Sequence, residues 1–521
     1  MATQQTLRTI QKCWEEARPL IDQGYTILDK SIVMGLPATS MPAPTRERNT
    51  GIGSPYGKGA ERIQKFWQKI IHKIMIGPVG KTEAATWHSP YLSSGEYNPF
   101  LIDLEQLAHK YPTCRTALEK IYRHKKNDTY INFQQVEKDY TFILKKAHQA
   151  SKTPLSFSAF CNQLVRTQMA HTPLPYISDI PINIPPAISH SHHKWFLKDW
   201  TMGAPPDKYA PTPQRWGFPI LNPKFLFKKK KSPLRRILKR LLRLYLSAQT
   251  GGIRIDHFIG WVDPYCFYTG ARSYKNGRLY SSPDIPPFKQ FFITEETDFL
   301  RATQEFLIPL FQEFHLTNME VYPEDLGIRP PQMDFVLNTF NWGRMLPVQF
   351  NEPDNPHHLY HICHSTYKDI VVLSTHDNPN LMDFFQELSD HEKTLFAHQL
   401  AHDLRFHYNH DLCSPTWLYR MQWAAALACP AQRLSAFFTT ITGQEGRYNV
   451  PGTLDSWHLR CQTDFEKGYF KALKKRQAYN PLEAIRWAIY ARGDEFFHQH
   501  EALVHQLMAM EDKLFEALKA L

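Results

Sequence analysis

The chain has 521 residues, of which 42% are hydrophobic and 13% aromatic, ordinary globular values that exclude wholesale disorder. At a typical ~150 residues per domain there is room for several domains, or for one α/β barrel with insertions. No run approaches the ~18 apolar residues of a membrane helix, and the net charge of +11 is concentrated in one short stretch rather than spread along a groove, so membrane insertion and nucleic-acid binding are not expected.

The N-terminus shows no apolar signal core after its charges, so a cytoplasmic protein is expected. Residues 51–59, GIGSPYGKG, have the glycine content of a phosphate loop but fail its pattern at Ile52 and Gly59, and read as a glycine-rich turn. The apolar run Lys73-Ile74-Met75-Ile76 predicts a buried parallel strand. A helix-rich region follows, about 101–170. Residues 228–243 carry nine bases and no acid, with leucines at helical spacing, which predicts an amphipathic helix with a basic solvated face. Further strands are predicted at Gly252–Asp256, Asn318–Tyr322 and Ile370–Leu373, then helices over about 381–429 and from Pro481. The histidines 357, 358, 361 and 364 cluster, and His398 and His402 have i, i+4 spacing, but no HExxH accompanies them and no metal site is expected. The eight cysteines include no CxxC pair and read as buried thiols.

Three of the predicted strands end in carboxylates. Carboxylates at the C-terminal ends of successive parallel strands are the mark of a (β/α)8-barrel active site. In Ile253-Arg254-Ile255-Asp256 the isoleucines share one face and Arg254 and Asp256 the other, so the guanidinium is placed to keep Asp256 ionised. An isolated RxD can equally be a buried structural ion pair. Of the adjacent Glu324 and Asp325 only one can face the lumen. Glu324 is the candidate general acid, which needs a raised pKa, and Asp325 is expected to cap the following turn. His376-Asp377-Asn378 supplies a third carboxylate, suited to binding sugar hydroxyls. The separations of 68 residues from Asp256 to Glu324 and 53 from Glu324 to Asp377 each leave room for a crossover.

These segments, GIRIDHF at 252–258, EDLG at 324–327 and STHDN at 374–378, resemble the signatures of the 4-α-glucanotransferases (amylomaltases, glycoside hydrolase family 77). Ser89-Pro90-Tyr91 with Asn98-Pro99, Asp179-Ile180-Pro181-Ile182, Gly203–Asp207 with Trp216-Gly217, and Asn449–Thr453 resemble further family motifs in the same order, so the likeness spans roughly residues 50–460. The resemblance implies a (β/α)8 TIM barrel: one catalytic domain over 1–521, with helix-rich insertions at about 101–170 and about 381–429. It implies a retaining double displacement on α-1,4-glucans, with Asp256 as nucleophile, Glu324 as acid/base and Asp377 holding donor hydroxyls, assisted by His376 and Arg254. Retention sets the first two carboxyls about 5–5.5 Å apart. Ser89, Tyr91, Asp207, Trp216 and Asn449 are implied as sugar-binding residues, malto-oligosaccharides and glucose as partners, and no metal or organic cofactor. The chain departs from the family at Asn183–Pro186, Lys208–Pro213, Phe218 and Pro379, none of them a catalytic carboxylate. A glucan hydrolase and a non-catalytic glucan-binding protein remain open as alternatives.

Overall fold

The computed structural model describes residues 4–124, 126–171, 175–206, 212–221, 233–248, 251–262, 264–268, 274–275, 278–279, 303–327, 331–450, 453 and 456–521. Asp207, Lys208–Pro211, Lys228–Ser232 and Pro451-Gly452 lie outside the described residues.

Eight short strands form one parallel sheet: β1 Ser31–Gly35, β2 Lys73–Gly77, β3 Tyr176–Ile180, β4 Gly252–Ile255, β5 Val321–Pro323, β6 Met345–Pro347, β7 Ile370–Val372 and β8 Arg433–Phe437. Their spatial order is β5-β4-β3-β2-β1-β8-β7-β6, so each strand except β5 neighbours its chain successor and the first pairs with the last. This is a (β/α)8 barrel with its seam between β5 and β6. A side chain bridges that seam: Asp325 Oδ1 accepts from Met345 N at 2.8 Å. Asp325 thereby ties β5 to the next strand across the seam.

Alternation along the strands sorts the core into two. Ile253, Ile255, Val321, Val371 and Leu434 face the surrounding helices, while Val33, Ile177, Tyr322, Met345, Ile370 and Val372 pack inside the barrel. The predicted strand at Asn318–Tyr322 begins later than its apolar pattern suggests. Residues 318–320 form a single 3-10 turn, because Thr317 and Glu320 close a capping box that satisfies the local backbone instead.

The crossovers differ in kind. Four helices, Leu104–Lys110, Arg115–Arg123, Phe133–Ser151 and Phe157–His171, lie between β2 and β3. Beyond β3, Phe196–Ala204 pairs antiparallel with Gln214–Leu221 and with Tyr265–Tyr268, which follows β4. The helix Pro233–Leu246 buries Leu238, Leu241 and Leu242, but its bases are not simply solvated: Arg235 is buried against Glu305, and Arg243 makes two 2.8 Å contacts with Glu313. Between β6 and β7 there is no α-helix, only the 3-10 turns Val348–Phe350 and Ile362–His364. Helices Leu381–Glu387, Asp390–Asp403 and Pro415–Ala428 connect β7 to β8. The last two helices, Pro481–Ala491 and Asp494–Lys519, pack on the first, Gln4–Leu28. All eight cysteines are thiols, but they are not uniformly buried: Cys413 is partly exposed and Cys363 exposed. No helix among the described residues is long and apolar enough to cross a membrane.

Candidate active site

The C-terminal ends of β3, β4 and β5 bring three carboxylates onto one guanidinium. Arg254 on β4 is buried and turns into the barrel mouth, as its alternation with Ile253 and Ile255 requires. Its Nη1 contacts Asp179 Oδ2, Asp256 Oδ1 at 3.1 Å and the Tyr91 hydroxyl at 3.3 Å. Its Nη2 contacts Glu324 Oε2 at 2.8 Å. The backbone fixes the carrier residues: Asp256 N donates to Ile180 O at 3.0 Å and Glu324 N to Ile255 O at 3.0 Å, continuing the ladders of β3, β4 and β5 by one residue. His257 then adopts φ +41°, a left-handed turn uncommon for a non-glycine residue. That turn aims its N–H back at Glu324 Oε2, 2.7 Å away.

The site's electrostatics follow from this distribution of donors. Glu324 takes the shorter contact with Arg254 and the His257 N–H, and against the cost of burial these hold it below the ordinary carboxylate range. Asp256 has one longer contact with Arg254 and a 3.3 Å bond from Ile182 N, so burial wins and pushes it well above its ordinary value. Asp179 is also raised by burial. These directions differ from those expected if Arg254 served Asp256 alone, because the guanidinium also contacts Glu324. His257, pushed down to about 4 by burial, is neutral near pH 7.

A second group stands beside the first, joined to it through Tyr91. The Tyr91 ring stacks on His376, centroids 5.0 Å apart and 8° from parallel, while its hydroxyl donates to Asp179 at 3.0 Å. His376 Nε2 lies 3.3 Å from Asp377 Oδ1, the same oxygen that accepts from the Asn449 side-chain amide. Asn449 N donates to His376 O at 3.1 Å, and Arg447 donates to the carbonyl of Asp377 at 2.7 Å. Trp216 meets His257 edge-on, centroids 4.7 Å apart, at the side of the Asp256 turn. Ser89 is buried in the turn before Pro90 and has no described contact with the carboxylates. Asp207 lies outside the described residues. Sequence reasoning did not single out Asp179, Arg447 or Trp457, which packs against both Tyr91 and His376. For Asp179 the signal existed: it is a carboxylate at the end of a strand, like the three that were chosen. Tyr91, Asp179, Arg254, Glu324, His376 and Tyr448 line one open cavity at the barrel mouth.

A family model described as 4-alpha-glucanotransferase matches residues 163–465, more than half of the chain. The chain is 24% identical over 495 residues to the 4-alpha-glucanotransferase of Thermus thermophilus, covering 77% of this chain and 91% of that protein. It is 22% identical over 520 residues to the one from Aquifex aeolicus, covering 84% and 97%. Among solved structures, the fold is similar to that of the amylomaltase from Streptococcus agalactiae in complex with acarbose, with a TM-score of 0.63, 15% identity and coverage of 89% of this chain and 100% of that one. It is likewise similar to the amylomaltase from Corynebacterium glutamicum, with a TM-score of 0.65, 14% identity and coverage of 90% and 77%. With the three strand-end carboxylates gathered at the mouth of a (β/α)8 barrel, the chain belongs to the 4-alpha-glucanotransferase family and is a glycosyltransferase-type enzyme.

Proposed function

We propose that the enzyme moves a segment of an α-1,4-glucan to the 4-hydroxyl of an acceptor glucan or of glucose by a retaining double displacement. Asp256 attacks the anomeric carbon while Glu324 protonates the departing glycosidic oxygen. The covalent glycosyl-enzyme so formed is then attacked by the acceptor 4-hydroxyl, with Glu324 taking its proton. The observation that carries this reading is the sharing of one buried guanidinium by Asp256 and Glu324 at the barrel mouth. Asp377 with His376 grips donor hydroxyls, and Tyr91, Trp216, Asn449, Ser89 and Asp207 complete the sugar site. Acarbose in the Streptococcus agalactiae amylomaltase supports an α-glucan as the ligand class.

The reading also requires a proton to move. Three carboxylates around one cation cannot all stay ionised in a buried site. Burial favours the proton on Asp256 and Asp179, while the Arg254 Nη2 contact and the His257 N–H favour an ionised Glu324. A glycosidic oxygen arriving at Glu324 accepts a hydrogen bond only from the protonated acid, so substrate binding draws the proton there and leaves Asp256 the anion that attacks.

The test is incubation of the purified protein with maltotriose alone, with products resolved by length. Glucose together with oligosaccharides longer than maltotriose is the expected result. Maltose and glucose with nothing longer would make the enzyme a hydrolase, and no conversion of maltotriose or longer maltodextrins would leave a binding protein. Asp256→Asn is expected to abolish turnover and retain glucan binding; retained turnover would exclude Asp256 as the nucleophile.

A further inference from the structure

The connection from β6 to β7 contains a cluster of metal-ligating side chains that takes no part in the proposed chemistry. His361, Cys363 and His364 each offer a donor atom, and the three atoms lie within 4.8 Å of one another. Among the described residues this is the one such group of three or more histidines, cysteines and carboxylates. We propose that it is a binding site for a borderline-soft divalent cation, Zn2+ in particular, which clamps the β6–β7 connection.

The local backbone explains the gathering. Ile362–His364 form one 3-10 turn, in which residues three apart lie on the same side. His361 and His364 are therefore brought together, their rings 5.2 Å apart and nearly perpendicular. Cys363 projects from the same turn, so all three donors come from four consecutive residues. Two imidazoles and one thiolate are the ligand types that zinc takes in tetrahedral sites. At zinc–nitrogen and zinc–sulfur bond lengths, donors sit about 3.3–3.6 Å apart. Small rotations of Cys363 and His364, both exposed, close the difference from 4.8 Å.

The surroundings already supply the outer support of a metal site. His361 is buried, and its Nε2 lies 3.0 Å from Asp403 Oδ2 at the end of helix Asp390–Asp403. A carboxylate on the second nitrogen of a ligating imidazole fixes its tautomer and orientation. Nδ1 of His361 and Nε2 of His364 both contact the carbonyl of Pro356, at 3.2 and 2.7 Å. Coordination through Nδ1 of His361 exchanges that contact for the ion and keeps Asp403 in place. The exposed side leaves the fourth position to water. Binding releases the proton of the Cys363 thiol and the proton that His361 Nδ1 donates to the Pro356 carbonyl.

The clamp has a structural purpose. This connection lacks the α-helix that covers other strands of the barrel. It also carries Tyr360, whose hydroxyl accepts from Gly327 N at 3.3 Å, in the segment that begins with Glu324. An ion on the adjacent turn would fix the Tyr360 end of that contact.

The experiment titrates the full-length, metal-stripped protein with Zn2+ alone and then with Co2+ alone. One equivalent of tightly bound metal is expected. Cobalt should add a near-ultraviolet thiolate charge-transfer band, and zinc should raise the melting temperature. Cys363→Ser should remove the band, and Cys363→Ser and His364→Ala should each weaken binding at least tenfold. Both side chains are exposed, so these variants should fold, and unchanged maltotriose conversion checks that they have. Asp403→Asn should weaken binding about 10–100-fold with the thiolate band retained. Absence of stoichiometric binding, or binding that both Cys363→Ser and His364→Ala leave unchanged, would overturn the proposal.

Discussion

Arg254 is the residue on which the proposed chemistry turns, and its burden is divided. It faces Asp179, Asp256 and Glu324 together, and the negative charge of Asp179 is one of the influences that raise Asp256. Catalysis needs one proton among these carboxylates, so the lowered Glu324 sets the acidic limb of kcat/KM, and loss of that proton from a raised Asp256 sets the basic limb. Asp179→Asn removes one competing charge and should move the basic limb to lower pH, together with a fall in kcat. A purely structural role for Asp179 would lower kcat and leave the limb in place, so the pH profile decides between them. The placement of Arg254 and Asp256 on one face was legible in the sequence, because strand alternation alone determines it. The direction of each carboxylate's shift was not. It depends on the donors delivered by His257, Ile182 and a second strand, which the spacing of residues does not reveal.

At the scale of the element, legibility followed strand length and purity. β2, β4 and β7 are apolar runs ending in turn or polar residues, and each was found near its predicted bounds. β6 is three residues long, and β8 carries Arg433 and Ser435 along its length, so neither offers a pattern that can be told from a loop. The seam between β5 and β6 was equally hidden, since the bond that crosses it comes from a side chain. Asp325 is buried and satisfies Met345 N. Asp325→Ala should leave that N–H without its acceptor and cost about 1–3 kcal/mol of stability, measurable by chemical denaturation. Asp325→Asn keeps an oxygen in the same place and should cost less. Equal stability of the alanine variant and the parent would mean that the seam is held by packing instead.

The whole molecule is closed by its two ends meeting. Helix Gln4–Leu28 packs against Pro481–Ala491 and Asp494–Lys519, with Tyr25 and Tyr479 sharing a 2.7 Å hydrogen bond between hydroxyls. The closing helices are joined by a partly buried charge network. Glu511 accepts from Arg476 at 2.8 Å, from Asn480 at 2.8 Å and from Arg486 at 3.2 Å. Glu483 continues the network to Arg420 on helix Pro415–Ala428, which belongs to the crossover between β7 and β8. Through this chain of contacts the last helix is tied to the helices of the β7–β8 crossover. Removing one member of such a network costs more than the pair is worth, because the remaining charges keep the penalty of their burial. Glu511→Ala should therefore destabilise the protein by about 3 kcal/mol, the lower part of the range for a broken buried pair, because Arg476 is partly exposed. Maltotriose conversion well below the melting temperature should be unchanged, since none of the proposed site residues touches Glu511. Lost activity at full stability would instead reveal a coupling between the closing helices and the barrel mouth.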